Sequence, residues 1–178
     1  MKHSFVQIRA VTFDVGGTLI APYPSVGAVY AEVAAQQGMS GLSPERLNQQ
    51  FAKAWREKRN FDHSKVAWRK IVTETFAGSL EPTEIFFQKL YQRFAEPACW
   101  HTFEDVKGTL RHLRKLGFNL AAISNWDERL RPLLRSLGLA QFFDGIVISC
   151  ECGCVKPSPK IFQRAAGLLQ YLPRQCST

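Results

Sequence analysis

With 178 residues, 46% of them hydrophobic and 12% aromatic, the chain has enough apolar side chain for a buried core, which excludes the disordered and low-complexity classes. No repeat of solenoid period occurs, and no apolar run reaches the length of a secretory signal or a membrane span. A net charge of +8 suits anionic ligands. The basic residues are scattered over "KAWREKR", "LRHLRKLG" and "DERLRPLLR" without a nucleic-acid motif, and they read as solvated helix faces.

In chain order, Val11, Thr12 and Phe13 of "VTFDVGGTLI" predict a strand that ends on Asp14, and Gly16-Gly17 must break it. From 22 to 96 every periodic segment is helical. Val26, Val29, Tyr30 and Val33 share one face. Ser43 is placed to cap a helix that begins at Pro44 and carries Leu47, Phe51, Ala54 and Trp55 together. Trp68, Ile71, Val72 and Phe76 form a third stripe, and Phe87, Leu90, Tyr91 and Phe94 a fourth. That is a four-helix block with no strand candidate.

From about residue 103 helices and short strands alternate: "EDVKGTLRHLRKLG", "FNLAAIS", "DERLRPLLRSLGL", "FFDGIVIS" and "SPKIFQRAAGLLQ". Asp127 is the expected N-cap of the third of these segments. Such alternation implies right-handed crossovers and a parallel sheet. The five cysteines are odd in number, so a complete disulfide framework within one chain is excluded. Cys150, Cys152 and Cys154 are separated by single residues, tighter than structural zinc spacing; reduced thiols and a cytoplasmic location are expected.

Ligands of parallel sheets bind beyond the carboxyl ends of the strands. The first predicted strand ends at Asp14, the second at Ser124-Asn125, and the third leads to Lys156. A carboxylate, a hydroxyl with an amide, and an ammonium would converge there. That set can clamp an anion with Ser124 and Lys156 and attack it with Asp14. Gly16 and Gly17 would let backbone N–H groups approach the same anion without a Cβ in the way.

The three stretches "FDVGGTL", "ISNWDERLRPLLRSLGLAQFFDGIVIS" and "VKPSPKIF" together resemble the haloacid dehalogenase superfamily of hydrolases, in particular its phosphatase-like members with a helical cap. The resemblance covers essentially the whole chain. It implies a Rossmann-like α/β core with a parallel sheet over residues 1–20 and 97–178, and an all-helical cap inserted over 21–96. It further implies Asp14 as a nucleophile forming an aspartyl-phosphate, Thr18 supporting the loop, Ser124 and Asn125 on the phosphoryl oxygens, and Lys156 neutralising charge. A Mg²⁺ ion would lie between Asp14, the Gly16 carbonyl and a late acidic residue.

Two departures stand out. Phosphatases of this superfamily place a second Asp two residues after the nucleophile as general acid and base; here that position is Gly16. And no Asp or Glu follows Glu151, so the family's last acidic motif is missing and a weak metal site is expected. Without the later strands the first strand would be an open edge, inviting self-association, and a truncated or frameshifted end "YLPRQCST" is expected. The leading expectation is a phosphoric monoester hydrolase of impaired activity acting on a small phosphorylated substrate. The alternatives are a non-catalytic binding module or fragment on the same scaffold and a 2-haloacid dehalogenase, which expels halide without a proton. A Schiff-base route would need a cap lysine, of which Lys53, Lys58, Lys65, Lys70 and Lys89 are available.

Overall fold

In the computed structural model, which describes residues 8–59 and 61–170, the first apolar run forms strand β1 (Ala10–Phe13), and Ile20–Pro22 form β2. Between them Val15 is fully buried, and its carbonyl accepts the N–H groups of Thr18, Leu19 and Ile20, folding the glycine loop back on itself.

Four helices follow: α1 (Val26–Ala35), α2 (Pro44–Glu57), α3 (Lys65–Thr75) and α4 (Glu84–Arg93). Each opens on a hydroxyl. Ser25, Ser43, Ser64 and Thr83 accept the N–H groups of Ala28, Arg46, Ala67 and Phe86, donors the helices cannot pair themselves. The four apolar stripes meet in one cluster around Tyr30, Leu47, Phe76, Phe86 and Leu90. Strand β3 (Trp100–Thr102) then runs antiparallel to β2, with Ile20 facing Thr102 and Pro22 facing Trp100. Periodicity does not foresee either strand, because three residues show no period and Pro22 argues against one.

The chain continues as α5 (Val106–Lys115), β4 (Asn119–Ser124), α6 (Leu130–Ser136), β5 (Gly145–Ile148), the single turn α7 (Ser149–Cys152) and α8 (Pro159–Gln170). β1, β4 and β5 form a parallel sheet in the order β1-β4-β5, with Phe13 beside Ala122 and Ser124 beside Ile148. Successive β4 residues go to opposite faces, as the pleat demands. Leu120 and Ala122 pack with Leu110, Leu130, Leu133 and Leu134 of α5 and α6. Ile123 instead joins Val147, Ile161 and Ala165 beneath α8. This is the expected α/β core, and the helical module enters it between β2 and β3.

Two boundaries differ from the periodicity. Ala140–Phe142 form a 3-10 turn, so the strand expected over "FFDGIVIS" starts only at Gly145. Asp127 is not the N-cap of α6: the helix begins at Leu130, and the Arg129 side chain at the capping position makes no capping bond to it. The Asp127 carboxylate is drawn inward by stronger, charge-assisted partners described below. The expected C-terminal replacement "YLPRQCST" lies outside the described residues. Among those described, no helix is long and apolar enough to cross a membrane.

The helical module depends on one close approach. Gly27 of α1 donates its N–H to Asn48 Oδ1 of α2 at 2.7 Å. A Cβ at Gly27 would lie 2.1 Å from the Pro44 carbonyl oxygen and 2.7 Å from the Asn48 nitrogen, both rigid backbone. Gly27→Ala is therefore expected to force the two helices apart and lower stability by about 1–3 kcal/mol, the usual cost of overpacking. Chemical denaturation of the two proteins measures it.

Candidate active site

Asp14 leaves the end of β1 beside the end of β4, because the parallel register sets Phe13 against Ala122. Three donors converge on its Oδ1: the Val15 N–H at 2.7 Å, the Ser124 hydroxyl at 3.4 Å and the Lys156 ammonium at 2.7 Å. Oδ2 takes none of these contacts. Ser124 is buried at the last position of β4, whereas the Asp14 side chain is about half exposed (47%) and open to an incoming group. The structure thus brings together the carboxylate, hydroxyl and ammonium expected from the strand ends.

Asn125 is in the site but is committed differently from the expectation. Its Nδ2 donates to the Lys156 carbonyl at 3.1 Å and its Oδ1 accepts the Lys156 N–H at 2.7 Å. Both amide atoms therefore hold the backbone that carries the ammonium. Gly17 has a φ of +75°, a conformation that favours glycine, and its N–H donates to the Ile20 carbonyl. That N–H turns inward to close the loop, where an anion contact was expected. Thr18 is exposed in the same turn and is not part of the cavity wall described next.

Asp14, Gly16, Gly17, Ser124, Asn125 and Lys156 all line one cavity of ≈ 650 Å³. Its remaining wall comes largely from aromatic rings of the helical module. Trp126, after β4, closes the side nearest Gly16: a Cβ at Gly16 would lie 3.0 Å from Trp126 Cζ3, tighter than ordinary van der Waals contact. The Trp126 ring would therefore have to give by a few tenths of an ångström to admit an acid at position 16. Trp126 is in turn fixed by its N–H donating to Ser149 Oγ, by Ser149 donating back to its carbonyl, and by Trp100, whose ring centre is 5.2 Å away.

A buried ionic network joins the module to the core. Arg129 binds both Asp127 oxygens through Nε at 2.8 Å and Nη2 at 2.7 Å, and donates from Nη1 to the Tyr91 carbonyl of α4. The Trp68 indole N–H of α3 donates to Asp127 Oδ2 at 2.8 Å, and the guanidinium lies 3.5 Å over the Tyr91 ring. The side chains of Asp127 and Arg129 are only 1% and 11% exposed, so removing one charge strands the other out of water. Arg129→Ala is expected to cost about 3–5 kcal/mol in denaturant unfolding, the range for half-broken buried pairs.

Sequence reasoning placed neither Arg129 nor His63 in the site. His63, in the loop between α2 and α3, is buried with φ 63°, and its Nδ1 has no hydrogen-bond partner among the described residues. Burial pulls its pKa below the usual imidazole value, with Asp127 and Asp62 opposing. Of the five cap lysines considered, Lys58 lines the cavity; its ammonium donates to the Trp55 carbonyl and lies 3.7 Å over the Trp55 ring, and burial lowers its pKa. Cys152 and Cys154 have their sulfurs 3.1 Å apart, and Cys150 is exposed.

A carboxylate facing a hydroxyl and an ammonium at the carboxyl edge of a parallel sheet is equipped for nucleophilic displacement at an anionic centre, the work of an α/β hydrolase. The chain belongs to the haloacid dehalogenase-like hydrolases, whose family model matches residues 8–176. It is 34% identical over 181 residues to the human haloacid dehalogenase-like hydrolase domain-containing protein 3, covering 94% of this chain and 72% of that one. It is 30% identical over 189 residues to a glyceraldehyde 3-phosphate phosphatase of Methanopyrus kandleri, covering 95% of this chain and 73% of that enzyme. Its fold matches the L-2-haloacid dehalogenase of Xanthobacter autotrophicus with a TM-score of 0.69 at 22% identity, covering 94% and 67% of the two chains.

Proposed function

We propose that this chain is a phosphoric monoester hydrolase that works through an aspartyl-phosphate on Asp14, with α1 to α4 serving as a cap over the site. The observation that carries the reading is the Asp14 carboxylate held between the Ser124 hydroxyl and the Lys156 ammonium at the mouth of a cavity. The phosphatase relative supports phosphate ester over haloacid as substrate.

Lys156 and Ser124 bind the phosphoryl oxygens and orient phosphorus toward the carboxylate. Asp14 attacks, the bond from phosphorus to the leaving oxygen breaks, and the leaving group takes the electron pair. Water then attacks the phosphorus of the acyl phosphate and returns Asp14 to its free state. Asn125 keeps Lys156 at the required height through its two backbone bonds. Gly16 supplies no proton to the leaving oxygen and no base to the water. A positioned acid or base contributes about 10²- to 10⁴-fold, so activity is impaired by that order, least for leaving groups stable as anions.

The donor set fits a magnesium ion weakly. Asp14 Oδ2, free of the three donors on Oδ1, and the Gly16 carbonyl would hold it, with phosphate oxygens and water completing the shell. Among the described residues no group of three His, Cys, Asp or Glu side chains is gathered to bind a metal. When bound, the ion would neutralise phosphoryl charge. A cytoplasmic location, expected from the spacing of Cys150, Cys152 and Cys154, is part of this reading.

The test is phosphate release from an aryl phosphate with Mg²⁺, run beside halide release from a 2-haloacid. Phosphate without halide is expected. Halide release, or phosphate release equal to that of Asp14→Asn, overturns the reading.

A further inference from the structure

Resting on that reading, we propose that the cavity beside Asp14 is a leaving-group subsite for a hydroxylated aromatic ring, so that the substrate is an aryl phosphate whose ring hydroxyl bonds to the His63 imidazole. Three independent observations converge on this assignment.

The first is the wall. The indoles of Trp55 and Trp68 stack with ring centres 5.6 Å apart and planes 17° from parallel. Phe61 stands edge-on to both, at 5.2 and 4.9 Å. All three rings line the cavity, and a volume of ≈ 650 Å³ falls in the range of small-molecule sites. Aromatic rings pack against such faces and edges with centres roughly 4.5–7 Å apart, a geometry an alkyl chain does not exploit.

The second is His63. It is 8% exposed, lines the same cavity, and leaves Nδ1 without a partner among the described residues, although it holds a backbone conformation that non-glycine residues rarely adopt. The imidazole is one of the few polar groups on a wall made largely of aromatic rings, and such groups fix the orientation of a ligand in an apolar site. Burial disfavours the charged imidazolium. A hydroxyl both donates and accepts, so it can bond to the imidazole in either tautomer.

The third is the chemistry at Gly16. With glycine where an acid would stand, the leaving oxygen departs without a proton. A phenoxide, whose charge spreads into its ring, departs far more readily than an alkoxide. The shape of the cavity and the missing acid thus select the same substrate class.

The experiment compares 4-hydroxyphenyl phosphate, phenyl phosphate and glycerol phosphate as substrates, and follows resorcinol binding by tryptophan fluorescence. Both aryl esters are expected to turn over at least tenfold faster than glycerol phosphate. The 4-hydroxy ester should show a KM about tenfold lower than phenyl phosphate, the worth of one hydrogen bond. His63→Phe keeps the ring, and His63→Asn keeps a residue tolerant of positive φ. In both, the KM of the 4-hydroxy ester should rise to that of phenyl phosphate. Trp55→Ala serves as a second variant, expected to raise KM for both aryl esters. Equal turnover of all three esters with no saturable resorcinol quenching overturns the subsite and leaves the phosphatase reading intact. Saturable quenching that Trp55→Ala weakens, with no phosphate released from any ester, overturns the phosphatase reading and leaves the subsite standing.

Discussion

Asp14→Asn is expected to lower kcat for aryl phosphate hydrolysis by on the order of 10⁴- to 10⁶-fold, the scale seen when a covalent nucleophile is removed. The substitution keeps the shape of the side chain, and the buried Val15 that anchors the loop is untouched. It removes the negative charge that faces Lys156 at 2.7 Å, and with it the nucleophilicity of the oxygen that would bond to phosphorus. Because the Asp14 side chain is half exposed, stability should change little, and the unfolding midpoint should stay near that of the unchanged protein. A loss of activity with retained stability separates a chemical role from a structural one; a steady-state assay beside a melting curve measures both.

Supplying the missing acid is the second large effect. Gly16→Asp alone is expected to gain less than it could, because its Cβ would press on Trp126 Cζ3 at 3.0 Å and the ring would first have to shift. Gly16→Asp with Trp126→Ala removes that obstruction. The double variant should hydrolyse alkyl phosphates about 10²- to 10⁴-fold faster than Trp126→Ala alone, the usual worth of a positioned acid and base. Aryl phosphates should gain much less, since their leaving groups need no proton. Equal gains on both ester classes in kcat/KM would contradict this account of Gly16.

These effects follow from residues that a reading of the sequence reaches unevenly. Asp14 and Ser124 were legible because each stands at or just beyond a strand end, and Lys156 because the third strand leads through a loop to it; parallel strands turn those ends to one side of the sheet. The parallel core was legible because strands and helices alternate after residue 103 with clean periods. Trp55 and Trp68 sat at helical spacing with core residues and read as core; spacing says which side of a helix a ring lies on, not whether a neighbour or a cavity meets it. Asp127 matched the local pattern of an N-cap, but Trp68, 59 positions away, and Arg129 claimed its carboxylate. Asn125 was placed on the phosphoryl group by resemblance, and the structure gives its amide to a backbone 31 positions away. His63 falls between two periodic segments, where no pattern registers it. For Asp127 and Asn125 a partner distant in sequence decided the role.

The central claim is that Asp14 becomes covalently phosphorylated. The most direct measurement is acid quenching of the protein during turnover of an aryl phosphate, followed by mass analysis of the intact chain and its peptides. A mass gain of one phosphoryl group on the peptide that contains Asp14, absent in Asp14→Asn, is the predicted result. Continued turnover with no phosphorylated chain at any quench time, or a phosphoryl group on a peptide lacking Asp14, would contradict it.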